Sequence, residues 1–143
     1  MRQICLDSSV LVKLVLPEED SHAAEALLSA ALGAEVLIVA PDFAWAEVGS
    51  AIRRRTRQRL TSVAAGAEAW RAFRALPLSF LPGESLAEAA WAAAERWTLP
   101  TLYDAAFLAA GEPGGFWTSD ARLLEALGGA RPEWVHRLGE ALP

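Results

Sequence analysis

Short apolar runs alternate with longer amphipathic segments along the chain, and this alternation predicts an α/β fold. Runs of strand length occupy residues 4–6, 36–40, 78–81 and 116–118, and a further edge strand is predicted at 134–138. Helical periodicity occupies residues 10–16, 21–32, 43–59, 61–76, 85–97, 101–110 and 120–127. Strands separated by helices form mostly parallel sheets that are covered on both faces. We therefore expect one three-layer α/β domain over residues 1–143, with a central sheet of four to five strands.

Proline, glycine and small polar residues mark the boundaries of these elements. Pro17 and Pro77 end two of the predicted helices, and Gly33 closes a third. Ser85 and Glu88 have the three-residue spacing of a capping box, which predicts a helix that begins near residue 85.

Two aspartates come at the ends of predicted strands. Asp7 follows the first strand directly, and Asp120 follows the strand at residues 116–118 after a single serine. Ligands of open α/β sheets bind at the carboxyl ends of the strands, which makes both positions candidates for a functional site. Each aspartate is equally suited to capping the helix that follows it, so position alone leaves both interpretations open.

Two further acids lie in predicted helices without a local basic partner. The residues three and four positions away from Glu47 include no lysine or arginine, and the same holds for Asp104. Neither acid is therefore explained by an ion pair along its own helix. Aspartate is also unfavourable in a helix interior, which makes Asp104 the more unusual of the two.

The four acids have two interpretations. In one, each has a separate local role, as a helix cap or as a solvent-facing side chain. In the other, the four carboxylates converge at one edge of the sheet. Clustered carboxylates repel and raise one another's pKa, and a hard divalent cation such as Mg²⁺ relieves that repulsion. Spacing along the chain does not decide between the two.

Composition narrows the classes of protein that fit. The chain is 53% apolar, which favours a sizeable core, and no apolar run is long enough to predict a membrane span. A net charge of −5 argues against a general nucleic-acid coat protein. One cysteine and two histidines disfavour a zinc site. Met1-Arg2-Gln3 leads directly into a strand, so we expect no signal peptide and a reducing cytoplasmic location.

Five arginines without an intervening acid follow Glu47 along its helix and the helix exit. They are Arg53, Arg54, Arg55, Arg57 and Arg59. An acidic protein that binds RNA needs a local basic groove. If the chain binds RNA, we expect Arg53, Arg54 and Arg57 to contact its phosphates, with a solvated helix face as the alternative.

Four short motifs in this order resemble PIN-domain ribonucleases, and most closely the VapC toxins of bacterial toxin–antitoxin pairs. The motifs are Leu6-Asp7-Ser8-Ser9-Val10-Leu11-Val12 with Pro17-Glu18-Glu19, Glu47-Val48-Gly49-Ser50-Ala51-Ile52-Arg53-Arg54, Tyr103-Asp104-Ala105, and Thr118-Ser119-Asp120 with Leu123. The resemblance covers nearly the whole chain, and the ordered set is more specific than any single motif. Many relatives have asparagine one turn after the helical glutamate, where this chain has Ser50, whose hydroxyl has a shorter reach.

The resemblance implies a PIN-like fold and a Mg²⁺- or Mn²⁺-dependent endoribonuclease. The implied catalytic and metal-binding residues are Asp7, Glu47, Asp104 and Asp120. Secondary candidates for holding a metal-bound water or orienting a carboxylate are Ser8, Thr118 and Ser50. The resemblance also implies an RNA substrate, a homodimer and a cognate antitoxin. The alternative is a non-catalytic PIN-like module that binds RNA or a protein partner.

Overall fold

Five parallel strands form the central sheet of the structure, a computed structural model that describes all 143 residues. The strands are β1 (Gln3–Leu6), β2 (Leu37–Pro41), β3 (Leu78–Leu81), β4 (Phe116–Thr118) and β5 (Val135–Arg137). Their order across the sheet is β3-β2-β1-β4-β5, and every neighbouring pair is parallel. The expected α/β domain with a parallel sheet is therefore confirmed, and the predicted last strand is the edge strand β5.

Seven helices connect and cover the strands. They are α1 (Ser8–Lys13), α2 (Ser21–Gly33), α3 (Ala44–Arg57), α4 (Val63–Arg74), α5 (Ala87–Trp97), α6 (Leu102–Gly111) and α7 (Ala121–Leu127). Successive residues of β1 and β4 are buried, so both faces of the central strands are covered. None of the helices has the length and apolar character needed to cross a lipid bilayer.

The strand order reverses direction beside β1. The chain passes from β1 outward to β2 and β3, and then returns to the opposite side of β1 to form β4 and β5. Because crossovers between parallel strands are right-handed, the helices after β1 and β2 cover one face and those after β3 and β4 cover the other. A crevice forms where these two sets of helices diverge, at the carboxyl ends of β1 and β4. The fold therefore places its natural binding crevice beside Asp7.

The hydrophobic core surrounds β1, β2, β4 and the apolar helix α6. Four consecutive residues of α6, from Ala105 to Leu108, are buried. A helix that is apolar on all sides is buried on all sides, and α6 packs against three strands of the sheet. Phe116 and Trp117 of β4 are fully buried in the same core. This packing fixes the first turn of α6, which contains Asp104, next to the ends of the central strands.

Several predicted helix boundaries are wrong by a few residues, for local reasons. The first helix begins at Ser8, because Asp7 caps it, and ends at Lys13 rather than at Leu16. The helix predicted from Phe43 to Arg59 ends at Arg57, and Arg59 adopts a left-handed conformation with φ of 59°. The next helix, predicted from residue 61, begins at Val63, because Ser62 caps it through the amide of Ala65.

The predicted capping box at Ser85 and Glu88 is also wrong. A 3-10 turn occupies Gly83–Leu86, and α5 begins only at Ala87, after Leu86, whose side chain makes no capping hydrogen bond. Ser85 Oγ instead donates a hydrogen bond to the carbonyl of Pro82, 2.6 Å away. The hydroxyl thus stabilises the turn before the helix rather than the helix itself.

Candidate active site

Asp7 lies between β1 and α1 and is held by hydrogen bonds on both carboxylate oxygens. Its Oδ1 accepts from the amide of Val10 at 3.3 Å and from the hydroxyl of Ser9. Its Oδ2 accepts from Thr118 Oγ1, on the neighbouring strand β4. The side chain is only 7% exposed. Asp7 is therefore a helix cap, as its position suggests, and also the centre of a tertiary hydrogen-bond network.

Burial dominates the ionisation of Asp7. Loss of hydration raises the pKa of Asp7 from 3.8 to about 6, although hydrogen bonds from Ser9, Thr118 and the Val10 amide favour the charged form. The negative charge of Asp120 raises the pKa further. Because burial makes the charged form of Asp7 unfavourable, a bound cation would stabilise this carboxylate.

Asp120 follows β4 and caps α7. Its Oδ1 accepts from the amides of Arg122 at 2.9 Å and Leu123 at 3.3 Å, while its own amide donates to Thr118 Oγ1 at 2.9 Å. The predicted local role of Asp120 is therefore correct. Its second carboxylate oxygen, Oδ2, has no hydrogen bond within the protein and remains free to bind another group.

Glu47 and Asp104 lie in the first turns of α3 and α6. Burial raises the pKa of Glu47, as does the charge of Asp104, while a hydrogen bond from Ser8 lowers it. Burial also raises the pKa of Asp104, as does the charge of Asp120, against a hydrogen bond from Thr101. Both side chains are half-buried.

The four carboxylates form a continuous series of repelling charges. Asp120 acts on both Asp7 and Asp104, and Asp104 acts on Glu47. No basic side chain makes a salt bridge with any of the four; the acids in the salt bridges of the structure are Glu18, Glu25 and Glu140. The chain thus brings four acids from distant segments to one crevice and leaves their charge uncompensated.

A cavity of about 960 Å³ is lined by two of these acids, Glu47 and Asp104, whereas Asp7 and Asp120 are not among its lining residues. Its wall contains acidic and hydroxyl side chains, basic side chains and two aromatic rings. The lining includes Ser8, Ser9, Glu47, Ser50, Asp104 and Ser119, then Lys13, Glu18, Arg54 and Arg55, and the rings of Phe43 and Tyr103. The cavity is large enough for a segment of a polymer rather than only for a single small ion.

The donor set suits a hard divalent cation. All four acids offer carboxylate oxygens, and hydroxyls adjoin them, which is the chemistry that Mg²⁺ prefers. The structure contains no group of three or more acidic, histidine or cysteine side chains already arranged as a coordination sphere. Mg²⁺ commonly keeps several of its own waters, so one or two direct carboxylate ligands with others bridged by water would be sufficient.

The three arginines that were predicted to contact RNA phosphates lie in different parts of the structure. Arg54 lines the acidic cavity, together with Ser50. Arg53 lines a different groove, between α3 and α4, and Arg57 lines neither. A helix presents residues one position apart to different sides, which explains why one run of arginines is divided in this way.

Two features of the site were not predicted from the sequence. Ser9 donates to Asp7 and accepts from the amide of Ser119 at 3.1 Å, so it connects the ends of β1 and β4. Its position two residues after a strand-end aspartate was the available signal. Glu18 pairs with Lys13 and Arg55 in the cavity wall. No sequence signal identifies the pair with Arg55, because 37 residues separate the partners.

A second, more apolar groove of about 470 Å³ lies between α3 and α4. Trp45, Trp70 and Val63 contribute much of its lining, and Trp45 and Val63 are exposed. This groove lies on the same helix as Glu47 but is lined by a different set of side chains.

Comparison with known proteins agrees with this fold. The family model described as PIN domain matches residues 4–128. Among solved structures, the crystal structure of PAE2754 from Pyrobaculum aerophilum is similar, with a TM-score of 0.65 and 18% sequence identity. The alignment covers 96% of this chain and 85% of that chain. No curated protein matches the chain.

Proposed function

The chain belongs to the PIN-domain family, and from this membership we propose that it is an endoribonuclease that hydrolyses RNA phosphodiester bonds with Mg²⁺ or Mn²⁺. PIN domains are generally nucleases and typically use divalent metal ions. One observation above all supports the proposal: four carboxylates without a salt-bridge partner act on one another electrostatically in a series, near the edge of the sheet where the strand order reverses. These are Asp7, Glu47, Asp104 and Asp120.

The carboxylates divide into two groups in the proposed mechanism. Asp7 and Asp104 would be the principal ligands of the cation, and Glu47 and Asp120 would bind it through water or bind a second ion. When bound, the cation lowers the pKa of a coordinated water, neutralises charge on the scissile phosphate and orients the attack. Glu47 and Asp120 are also placed to accept the proton of the attacking water at a carboxylate oxygen, since neither is committed to a basic partner.

Three hydroxyls support the acids in this proposal. Thr118 holds Asp7 in one orientation, and the hydroxyl of Ser8 lowers the pKa of Glu47. Ser50 is exposed in the cavity lining, where its hydroxyl can bind a water or a phosphate oxygen. Ordered partners of this kind around metal ligands typically contribute 10- to 100-fold to metal affinity or activity.

The direct test is cleavage of a fluorescent single-stranded RNA with Mg²⁺, with EDTA as the control. We expect Asp7→Asn and Asp104→Asn to abolish cleavage while circular dichroism and thermal unfolding show that the fold is retained. Asp20→Asn makes the same chemical change at an exposed residue outside the cavity and should leave cleavage unchanged. Full activity in either site variant would refute the assignment of these ligands.

The alternative is a PIN-like module that binds RNA or a protein without cleaving it. The absence of a ready coordination sphere is the observation that favours this alternative. The two functions differ in turnover: a binding module retains intact RNA at any metal concentration, whereas the nuclease releases products in proportion to time and enzyme.

We further propose a VapC-type toxin that forms a homodimer and binds a cognate antitoxin. This proposal rests on the four sequence motifs, and the exposed apolar groove between α3 and α4 supports it as a surface for a protein partner. Sedimentation equilibrium tests the dimer. Co-purification with the product of the neighbouring reading frame, followed by loss of ribonuclease activity in the complex, tests the antitoxin.

The proposed contacts to RNA phosphates include Arg53, Arg54 and Arg57. Arg54 has the strongest support, since it lines the same cavity as Glu47 and Asp104. If all three arginines bind phosphates, each Arg→Gln change weakens RNA binding. If the RNA contacts only the arginine that lines the cavity, Arg54→Gln alone weakens it.

A further inference from the structure

An ion-pair cluster forms the basic part of the cavity wall. Lys13 Nζ lies 2.8 Å from Glu18 Oε2, and Arg55 Nη2 contacts Glu18 Oε1. The side chains of Lys13, Glu18 and Arg55 are 12%, 16% and 31% exposed. Glu18 is itself fixed, because its amide donates to Ser21 Oγ at 2.9 Å. The cluster therefore holds two cations in defined positions at the end of α1 and along α3.

Most of the hydrogen-bond donors in this cluster are unused. Each oxygen of Glu18 accepts from one cation. A lysine ammonium has three N–H donors and an arginine guanidinium has five, and within the protein Lys13 and Arg55 each make one side-chain hydrogen bond. The free donors belong to side chains that line the cavity, and one carboxylate between two cations leaves a net positive charge.

The cluster lies near the four acids without touching them. Lys13 is six residues after Asp7 at the far end of α1. At a rise of 1.5 Å per residue this corresponds to about 9 Å along the helix. A polyanion that enters the cavity meets repulsion at the acids, so cations at the opposite wall are needed to hold it. The distance of Lys13 from Asp7 suits a phosphate that neighbours the one being cleaved.

We propose that Lys13 and Arg55 form a binding subsite for an RNA backbone phosphate next to the scissile one, with Glu18 as the residue that positions both cations. This inference rests on the proposed ribonuclease function. It adds Lys13, which lies on another helix and outside the arginine run, and it selects Arg55 from that run. The competing explanation is an ion pair that only anchors the loop between α1 and α2 to α3.

The salt dependence of RNA binding distinguishes a phosphate contact from a structural ion pair. For single strands, log Kobs against log[salt] has a slope of about −0.7 for each phosphate neutralised. We expect Lys13→Gln and Arg55→Gln each to reduce the magnitude of the slope by about 0.7, measured by fluorescence anisotropy of a labelled single-stranded RNA in EDTA. Arg71→Gln makes the same charge change at an exposed residue that lines neither cavity, and should leave the slope unchanged.

A double variant separates binding from stability. Removing Arg55 leaves Glu18 with one cation, so we expect Arg55→Gln to lower the melting temperature whether or not a phosphate binds there. Glu18→Gln with Arg55→Gln removes both charges of that pair, and we expect it to recover thermal stability without recovering the slope. Recovery of the slope together with stability would show that the cluster is only structural.

The outcomes for the subsite and for the nuclease differ. If the wild-type protein cleaves RNA but Lys13→Gln and Arg55→Gln have unchanged slopes, the subsite is overturned and the nuclease function is still supported. If Lys13→Gln and Arg55→Gln have reduced slopes but the wild-type protein never cleaves RNA with Mg²⁺, the phosphate-binding role of the cluster is supported and the nuclease function is overturned. A wild-type protein that binds no RNA at low salt overturns both.

Discussion

Thr118 Oγ1 donates a hydrogen bond to Asp7 Oδ2 and so joins the carboxyl ends of β4 and β1. The same hydroxyl accepts from the amide of Asp120, which makes Thr118 a link between two of the four acids. Thr118 is completely buried, and its hydroxyl is the only polar group of its side chain. A buried hydroxyl with both a donor and an acceptor contact in place fixes the relative position of the strand-end carboxylates.

Replacing Thr118 with valine removes this link while keeping the shape of the side chain. We expect Thr118→Val to raise the pKa of Asp7 further, because a hydrogen bond that favours the charged carboxylate is lost. Mg²⁺-dependent cleavage should fall about 10- to 100-fold, mainly through weaker metal affinity. Titration of activity with Mg²⁺ measures this, and Thr118→Ser, which keeps the hydroxyl, should retain most of the affinity. Unchanged Mg²⁺ affinity in Thr118→Val would show that the link has no functional role.

Asp7 makes the stability of the metal-free protein depend on pH. Its pKa is about 6 in the folded protein and 3.8 in the ordinary reference state, so the folded state binds the proton more tightly. The stabilising contribution of protonated Asp7 is complete below about pH 4 and is lost as the pH rises through 6. The difference of about two pH units corresponds to roughly 3 kcal/mol.

Asp7→Asn isolates this contribution from the other carboxylates. In EDTA at pH 7.5 we expect Asp7→Asn to have a higher free energy of unfolding than the wild-type protein, by up to about 3 kcal/mol. The difference should shrink toward zero at pH 4, where Asp7 is neutral in both states. Urea unfolding of both proteins from pH 4 to 8 measures it, and a difference that does not vary with pH contradicts the assigned pKa.

Divalent cations should reverse the destabilisation that the acids cause. A ligand that binds only the folded state at ten times its Kd stabilises by about 1.4 kcal/mol. We expect Mg²⁺ or Mn²⁺ to raise the melting temperature of the wild-type protein and of Asp20→Asn, but not of Asp7→Asn or Asp104→Asn. NaCl at matched ionic strength controls for general screening of the carboxylates. Equal stabilisation of all four proteins would mean that the cation does not bind at the proposed acids.

The strands and helices of this fold could be predicted from the sequence because each has a local signal. The buried runs of β1 and β4 and the alanine-rich α6 are apolar over a length typical of their type. The order of the strands has no such signal, since two parallel strands pair through backbone groups that are the same for every residue. The reversal beside β1 therefore became apparent only in the structure, although it determines where Asp7 lies.

Residues of the candidate site could be identified in the sequence where their local sequence neighbours gave them no role. Glu47 and Asp104 attracted attention because neither has a basic neighbour on its helix, and both lie at the crevice. Asp7 and Asp120 both cap helices, so the local explanation was also correct and concealed their tertiary contacts. Glu18 could not be assigned, because its partner Arg55 is distant in the sequence and the acidic corner around Glu18 resembles ordinary solvated surface.

We predict that Tyr103 stacks on an unpaired base of the proposed RNA substrate. Its ring is 56% exposed, lines the cavity beside Asp104, and packs edge-to-face against Phe43 with 5.2 Å between ring centroids. Stacking of a base on an aromatic side chain contributes about 1–3 kcal/mol. We expect Tyr103→Leu to weaken binding of single-stranded RNA about 5- to 100-fold and Tyr103→Phe to leave it nearly unchanged. Anisotropy titrations measure both, and equal binding by all three proteins would exclude stacking at this position.

Gly66 determines how closely α4 packs against α3, the helix that contains Glu47, Arg54 and Arg55. A Cβ at this position would lie 2.6 Å from Thr56 Oγ1, and Thr56 is held by its own hydrogen bond to the carbonyl of Ile52 at 3.0 Å. Alanine gains about 1 kcal/mol over glycine in a helix interior. A clash inside a packed interface costs about 1–3 kcal/mol, because the two helices must separate or Thr56 must give up its hydrogen bond.

We therefore expect Gly66→Ala to lower the free energy of unfolding by about 1 kcal/mol, the balance of these two opposing effects. Gly33→Ala is the matched control, since Gly33 also lies in a helix, at the end of α2, and a Cβ there meets no atom within 4 Å. That variant should be as stable as the wild-type protein or slightly more stable. Urea unfolding of the three proteins measures the difference. If Gly66→Ala is as stable as Gly33→Ala, α4 can move away from α3 at little cost, and the position of α3 beside the cavity does not depend on this contact.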